Sequence, residues 1–178
     1  MKLFNLILCL LLSSANVAAE INTPHLYSLD VEITGVDATP DYSSGDLVGS
    51  KLTINNAVTE GHGGAVVVGA FVSDKENNDA DFRIWLFNAD PSNTTFTDNG
   101  AFTIADDDIE KVVECGPIDV STGVSSGSGA SVTYARLINC AFRLTPGTTT
   151  LYAAVEARSA INAADPDDLH LKIILSRE

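Results

Sequence analysis

Hydrophobic and polar residues alternate along much of this chain, and a period of two is the period of a half-buried strand. Leu29, Val31 and Ile33 fall on one side of such a strand, with Ser28, Asp30, Glu32 and Thr34 on the other. Leu52 and Ile54 repeat the pattern on a shorter segment. Leu169, Leu171, Ile173 and Leu175 repeat it near the end, against His170, Lys172 and Ser176. Gly64 to Val72 (GAVVVGAFV) is almost continuously apolar, which predicts a strand covered on both faces. Phe82-Arg83-Ile84-Trp85-Leu86-Phe87 joins aromatic and β-branched residues in the strongest strand signal of all. Val132 to Leu144 and Leu151 to Ala157 complete the set, with a turn at Pro146-Gly147 between them.

Turn chemistry separates these runs at short intervals, in Thr39-Pro40-Asp41, Asp90-Pro91-Ser92-Asn93, Asp98-Asn99-Gly100 and Asp165-Pro166-Asp167. One stretch reads as a helix, Ala105 to Val113: three aspartates suit its first turn, and Ile109, Val112 and Val113 form a short apolar face. Ser121 to Ser131 is rich in Ser and Gly and reads as a mobile loop. Many short strands, one short helix and no βα alternation predict an all-β fold. The expected architecture is a single-domain antiparallel β-sandwich, jelly-roll-like.

The amino terminus changes the picture from fold to address. Lys2 gives a positive start, Leu3 to Leu12 an apolar core, and Val17-Ala18-Ala19 the small residues that suit a signal peptidase. The apolar run is too short to span a bilayer. The reading is a signal peptide over residues 1–19 and a β-sandwich domain over 20–178, secreted, or periplasmic in transit, with no membrane span in the mature chain. Cleavage removes Lys2 and takes the formal charge from −14 to −15. So acidic a surface repels nucleic acid and anionic lipid, and favours solubility, divalent cations or basic partners.

Of three cysteines, Cys9 lies in the leader, which leaves Cys115 and Cys140. An even pair in an exported chain favours a disulfide, here closing twenty-four intervening residues, with two buried free thiols as the alternative. No Cys-x-x-Cys or Cys/His grouping points to redox or zinc chemistry. The loop Asp74-Lys75-Glu76-Asn77-Asn78-Asp79-Ala80-Asp81 is dense in hard oxygen ligands. Asp74, Glu76, Asn78, Asp79 and Asp81 are its candidate calcium ligands, but the glycine and terminal glutamate of an EF-hand loop are absent, so solvated turns are the first reading. No other cofactor is expected. His25, His62 and His170 are scattered without metal-ligand spacing. Gly123-Val124-Ser125-Ser126-Gly127 matches the nucleophile-elbow pattern, yet it sits in a Ser/Gly tract with no βα scaffold, so no enzyme is expected. Tyr42, Phe96, Tyr134 and Trp85 are aromatic candidates for stacking on sugars.

Several segments resemble small β-sandwich proteins of marine tailed phages, virion-associated or uncharacterised. The resemblance is carried by Asp41 to Gly49 (DYSSGDLVG), Gly63 to Ala70, Asp81 to Val113, Leu144 to Ala160 and Leu169 to Leu175. It implies a particle component that works by self-assembly, with no catalytic residues to carry over. Phage structural proteins do not normally carry a leader, and this moves the expectation to an exported assembly: a secreted, non-enzymatic fibre, sheath or particle component. The partner is a second copy, and Phe82, Trp85 and Phe87 are candidate interface residues, because their strand is more apolar than a half-exposed sheet requires. The rival reading is a secreted module that binds carbohydrate or another cell-surface ligand.

Overall fold

The computed structural model describes residues 25–37, 41–60, 63–76, 78–125, 129–162 and 169–177. The leader, His62 and the acidic stretch 165–168 lie outside the described residues. Among the described residues nine strands follow one another: β1 (His25–Glu32), β2 (Leu52–Ile54), β3 (Gly64–Asp74), β4 (Phe82–Phe87), β5 (Ile118–Val120), β6 (Thr122–Ser125), β7 (Ser131–Arg143), β8 (Leu151–Ala157) and β9 (Leu169–Arg177). They form a five-stranded sheet in the order β1-β9-β3-β7-β6 and a four-stranded sheet in the order β2-β8-β4-β5. Every strand pairing is antiparallel. The fold is the all-β sandwich that the alternation predicts.

The chain crosses between the sheets repeatedly. β1 and β3 enter the five-stranded sheet, β2 and β4 the four-stranded one; β5, β7, β8 and β9 then alternate back. The reason lies in period two: each strand has one apolar stripe, and the two sheets bury their stripes against each other. Phe82, Ile84 and Leu86 of β4, Leu151 and Val155 of β8, Val67 and Val72 of β3, and Leu169, Leu171, Ile173 and Leu175 of β9 form this core, all essentially sealed from water. Each such side chain contributes about 1.5–3 kcal/mol by leaving water. β3 and β7 slip register between Val67 and Gly69, a bulge that also shifts the β3–β9 pairing.

Three local expectations are corrected. The helix is a 3₁₀ segment over Asp106–Lys111, and Ile109 points out at 54% exposure while Asp108 is buried. Thr122–Ser125 is a strand paired with Ser131–Tyr134, so part of the Ser/Gly tract is a hairpin and not a loop. β3 is covered by the opposite sheet on one face only; Val66, Val68 and Phe71 remain half-buried on the other.

Cys115 and Cys140 form a disulfide, with Cα atoms 5.5 Å apart. Cys115 sits in the turn that leads into β5 of one sheet, and Cys140 lies on β7 of the other. The bond therefore staples the two layers together, and constraining the unfolded chain over that separation is worth roughly 3–4 kcal/mol. Replacing both cysteines by serine is expected to lower stability by about that much in denaturant titrations, whereas a Cys115→Ser, Cys140→Ser protein as stable as the original would show that the staple contributes nothing.

Candidate interaction surface

A sandwich has two outward faces, and this chain treats them differently. On the four-stranded sheet the outward residues of β4 and β8 include Trp85, Phe87, Tyr152 and Ala154, an apolar set that water would penalise. The long connection between β4 and β5 folds back over them. Val113 N–H donates to Leu86 O and Asn88 N–H to Lys111 O, while Phe87 bridges Val112. Leu47, Phe96, Phe102 and Ile104 pack in from above to make a second small core. The Trp85 ring lies 6.2 Å from Phe102, which lies 5.9 Å from Phe96. Trp85 Nε1–H donates to Glu156 Oε2 at 2.7 Å, so its polar edge is satisfied as well.

One carboxylate holds this roof in shape. Asp108 is fully buried, and it accepts from Thr94 N–H (2.6 Å), Thr94 Oγ1–H (2.8 Å), Asn93 N–H (2.9 Å) and Lys111 Nζ (2.6 Å). Lys111 Nζ also donates to Asp90 O at 2.7 Å. Burial works against the charge and would raise the pKa. The Lys111 ammonium and the Thr94 and Asn93 donors outweigh it and hold the carboxyl down at about 2. Asp98 performs a similar service at the roof's other end, accepting from Tyr42 Oη–H (2.7 Å), Gly49 N–H (2.6 Å) and Asp37 N–H (2.9 Å). Burial, then the hydrogen bond to Asp98, push the Tyr42 phenol well above its ordinary range. Gly49 has φ +73°, and a Cβ there would lie 2.5 Å from Thr34 O, so only glycine fits.

These placements decide the candidate residues. Phe82 is enclosed in the main core and Phe87 in the second one, and Trp85 lies half-buried beneath the roof. The excess apolar character of β4 is thus spent inside the subunit, and Phe82 and Phe87 offer no surface to a partner. Tyr42, an aromatic candidate for sugar stacking, is sealed at 1% exposure. Phe96 and Phe102 are half-buried, and Phe102 lines a cleft of about 270 Å³ with Asn93, Thr95, Thr97 and Thr103.

The acidic loop after β3 is stitched by its own first residue. The buried Asp74 carboxylate accepts from Glu76 N–H, Asn78 N–H and Asn78 Nδ2–H, all within 2.9 Å. Asp79 N–H donates to Ser131 Oγ and Asp81 N–H to Ser159 Oγ, so the loop's backbone is tied to its neighbours. Among the described residues no three His, Cys, Asp or Glu side chains gather where they would hold a metal ion. Ser125 closes β6 at one margin of the five-stranded sheet, whereas His170 lies on β9, three strand spacings or about 14 Å away. His25 is one strand farther still, on β1.

The outward face of the five-stranded sheet has no comparable roof among the described residues. Val124 of β6 stands opposite Val132 of β7, 57% and 37% exposed. Phe71 of β3 lies 6.4 Å from the Tyr134 ring, and Val66, Val68 and Ile174 are half-buried nearby. Charges on this face are few. Asp30 of β1 is ion-paired with Lys172 of β9 at 3.1 Å and lies 3.4 Å from His170. Among the described residues no helix is long and apolar enough to cross a membrane. No protein-family model and no curated protein matches the chain.

Because the Asp108 carboxyl is more acidic in the folded chain, about 2 against an ordinary 3.8, its network stabilises fully above about pH 4 and is lost as pH falls toward 2. Asp108→Asn is expected to lower the thermal midpoint at pH 7 and to flatten its decline between pH 4 and pH 2. An unchanged acid limb in scanning calorimetry would count against this role.

Proposed function

We propose that the chain is a secreted, non-enzymatic structural protein that acts by self-association, as an extracellular fibre, sheath or particle component. The observation that carries this reading is the unroofed apolar strip on the five-stranded sheet: Val66, Val68, Phe71, Val124, Val132 and Ile174. Copies of the mature chain, with a formal charge of −15 once Lys2 is removed from the −14 of the full sequence, repel one another over most of their surface. On this face the acids lie at the β1 margin, where Asp30 is already paired to Lys172, so repulsion over the apolar strip is weak. The apolar leader supports export, and the Cys115–Cys140 bond suits an oxidising compartment. The alternation of strands between sheets supports a jelly-roll winding, in which β6 is an added margin strand; that architecture recurs in capsid and lectin domains.

Light scattering and electron microscopy of the purified protein are expected to show species larger than one chain, growing with ionic strength as the acidic repulsion is screened. A double variant, Val124→Lys with Val132→Lys, is expected to reduce the size of the associated species with an unchanged circular-dichroism spectrum. A protein that stays monomeric at high concentration and high salt would overturn the reading.

The cleft lined by Phe102 favours a second reading, a carbohydrate-binding module, since it sets a half-buried ring beside threonine hydroxyls. Trp85 lies against Phe102, so its fluorescence is expected to change on titration with a bound oligosaccharide. A flat response across a glycan panel would remove this reading.

A further inference from the structure

We infer that the free edge of β1 pairs antiparallel with β1 of a second copy, across a two-fold axis at Leu29, to make one continuous sheet from two five-stranded ones. The inference rests on the self-association reading and names one of its contacts. Among the described residues β1 is a margin strand of eight residues, bonded on one side to β9 and on the other to none. Its ladder runs His25↔Arg177 through Glu32↔His170, and Ile33 N–H continues it to Leu169 O at 3.0 Å. In an antiparallel pair, residues of one parity point their N–H and C=O groups at the partner, and residues of the other parity point them away. Ile33 sets that parity. Tyr27, Leu29 and Val31 bond β9, and Leu26, Ser28, Asp30 and Glu32 direct their backbone groups to the open edge. The side chains of Leu26, Ser28, Asp30 and Glu32 lie on the outward face and are exposed, whereas those of Leu29 and Val31 pack against the core.

Directly opposed residues must share a face, so few two-fold registers exist. An axis at Asp30 sets that carboxylate against its own copy. An axis at Leu29 pairs Leu26 with the second copy's Glu32, and Ser28 with its Asp30. Every open-edge residue then finds a partner, and no acid faces an acid. On the inner side Leu29 meets its own copy and Tyr27 meets Val31, which prolongs the core layer across the axis. An axis at Ser28 also avoids opposed acids, but it sets Glu32 opposite residue 24, a proline with no N–H to give. The opposite margin, β6, has only four residues and offers a shorter ladder.

This edge and the apolar face are separate surfaces. Two-fold pairing through either one alone ends at a dimer, whereas both together link copies into an open chain, as a fibre or sheath needs.

The test combines cysteine crosslinking with a proline variant, on the purified protein under mild oxidation. Across the axis the two Leu29 Cα atoms are about 4.5 Å apart, within disulfide reach, while the two Ser28 Cα atoms lie about 7–8 Å apart on a diagonal. Leu29→Cys is expected to give mostly disulfide-linked dimer and Ser28→Cys little. Ser28→Pro removes an open-edge N–H and no bond to β9, so it is expected to reduce the assembly with an unchanged thermal midpoint. Crosslinking of Ser28→Cys in preference to Leu29→Cys overturns the axis. Wild-type assemblies that persist in Ser28→Pro, with no crosslink at Leu29→Cys, overturn the edge contact but leave self-association standing. A wild-type protein that never associates overturns both.

Discussion

An apolar sheet face cannot be left in water, and the architecture of this protein depends on how it meets that constraint on the four-stranded sheet. Trp85, Phe87, Tyr152 and Ala154 point outward there, and the connection between β4 and β5 returns to cover them. Such a connection carries many backbone polar groups and little regular structure of its own. It keeps its shape because Asp108 collects four donors from three of its residues. A buried carboxylate is costly unless its hydrogen bonds and a counter-charge are in place, and here Thr94, Asn93 and Lys111 supply both. Asp98 repeats the device where Tyr42, Gly49 and Asp37 converge.

Roofing one face settles the fate of the other. With Phe82 and Phe87 enclosed, a strip of exposed and half-buried apolar residues remains on the five-stranded sheet, around the bulge of β3 and the β6–β7 hairpin. The molecule is asymmetric in this sense: among the described residues one outward face is covered by the chain's own connection, and the other is not. The disulfide joins the two layers at the end where the roof re-enters the four-stranded sheet, so the sandwich and its covering are tied at one point.

Most strands were legible in the chain because alternation is a local signal that needs no knowledge of the partner. β4, β8 and β9 follow from their own residues. β5 and β6 were not legible: each is three or four residues long, and β6 lies in Ser/Gly sequence whose strand character comes from pairing with β7. The aspartates at 106–108 read as the first turn of a helix, the usual place for a run of acids. Nothing near them in sequence shows that Asp108 turns inward to Thr94, fourteen residues earlier, and tightens the segment into a 3₁₀ turn. Tyr42 likewise reads as an exposed ring until Asp98, fifty-six residues on, is seen to hold its hydroxyl.

By itself the sequence determined the all-β class, the run of strands that build the core, and a pair of cysteines able to bridge. Each of these depends on residue type and near-neighbour spacing. Only the tertiary structure decided which apolar residues remain outside. Trp85 and Val124 are both apolar strand residues, yet one lies under a roof and the other stands open to water. Strand period tells which side of a sheet a residue takes, but whether that side is covered depends on segments far away in the chain. The candidate surface belongs to this second kind of information.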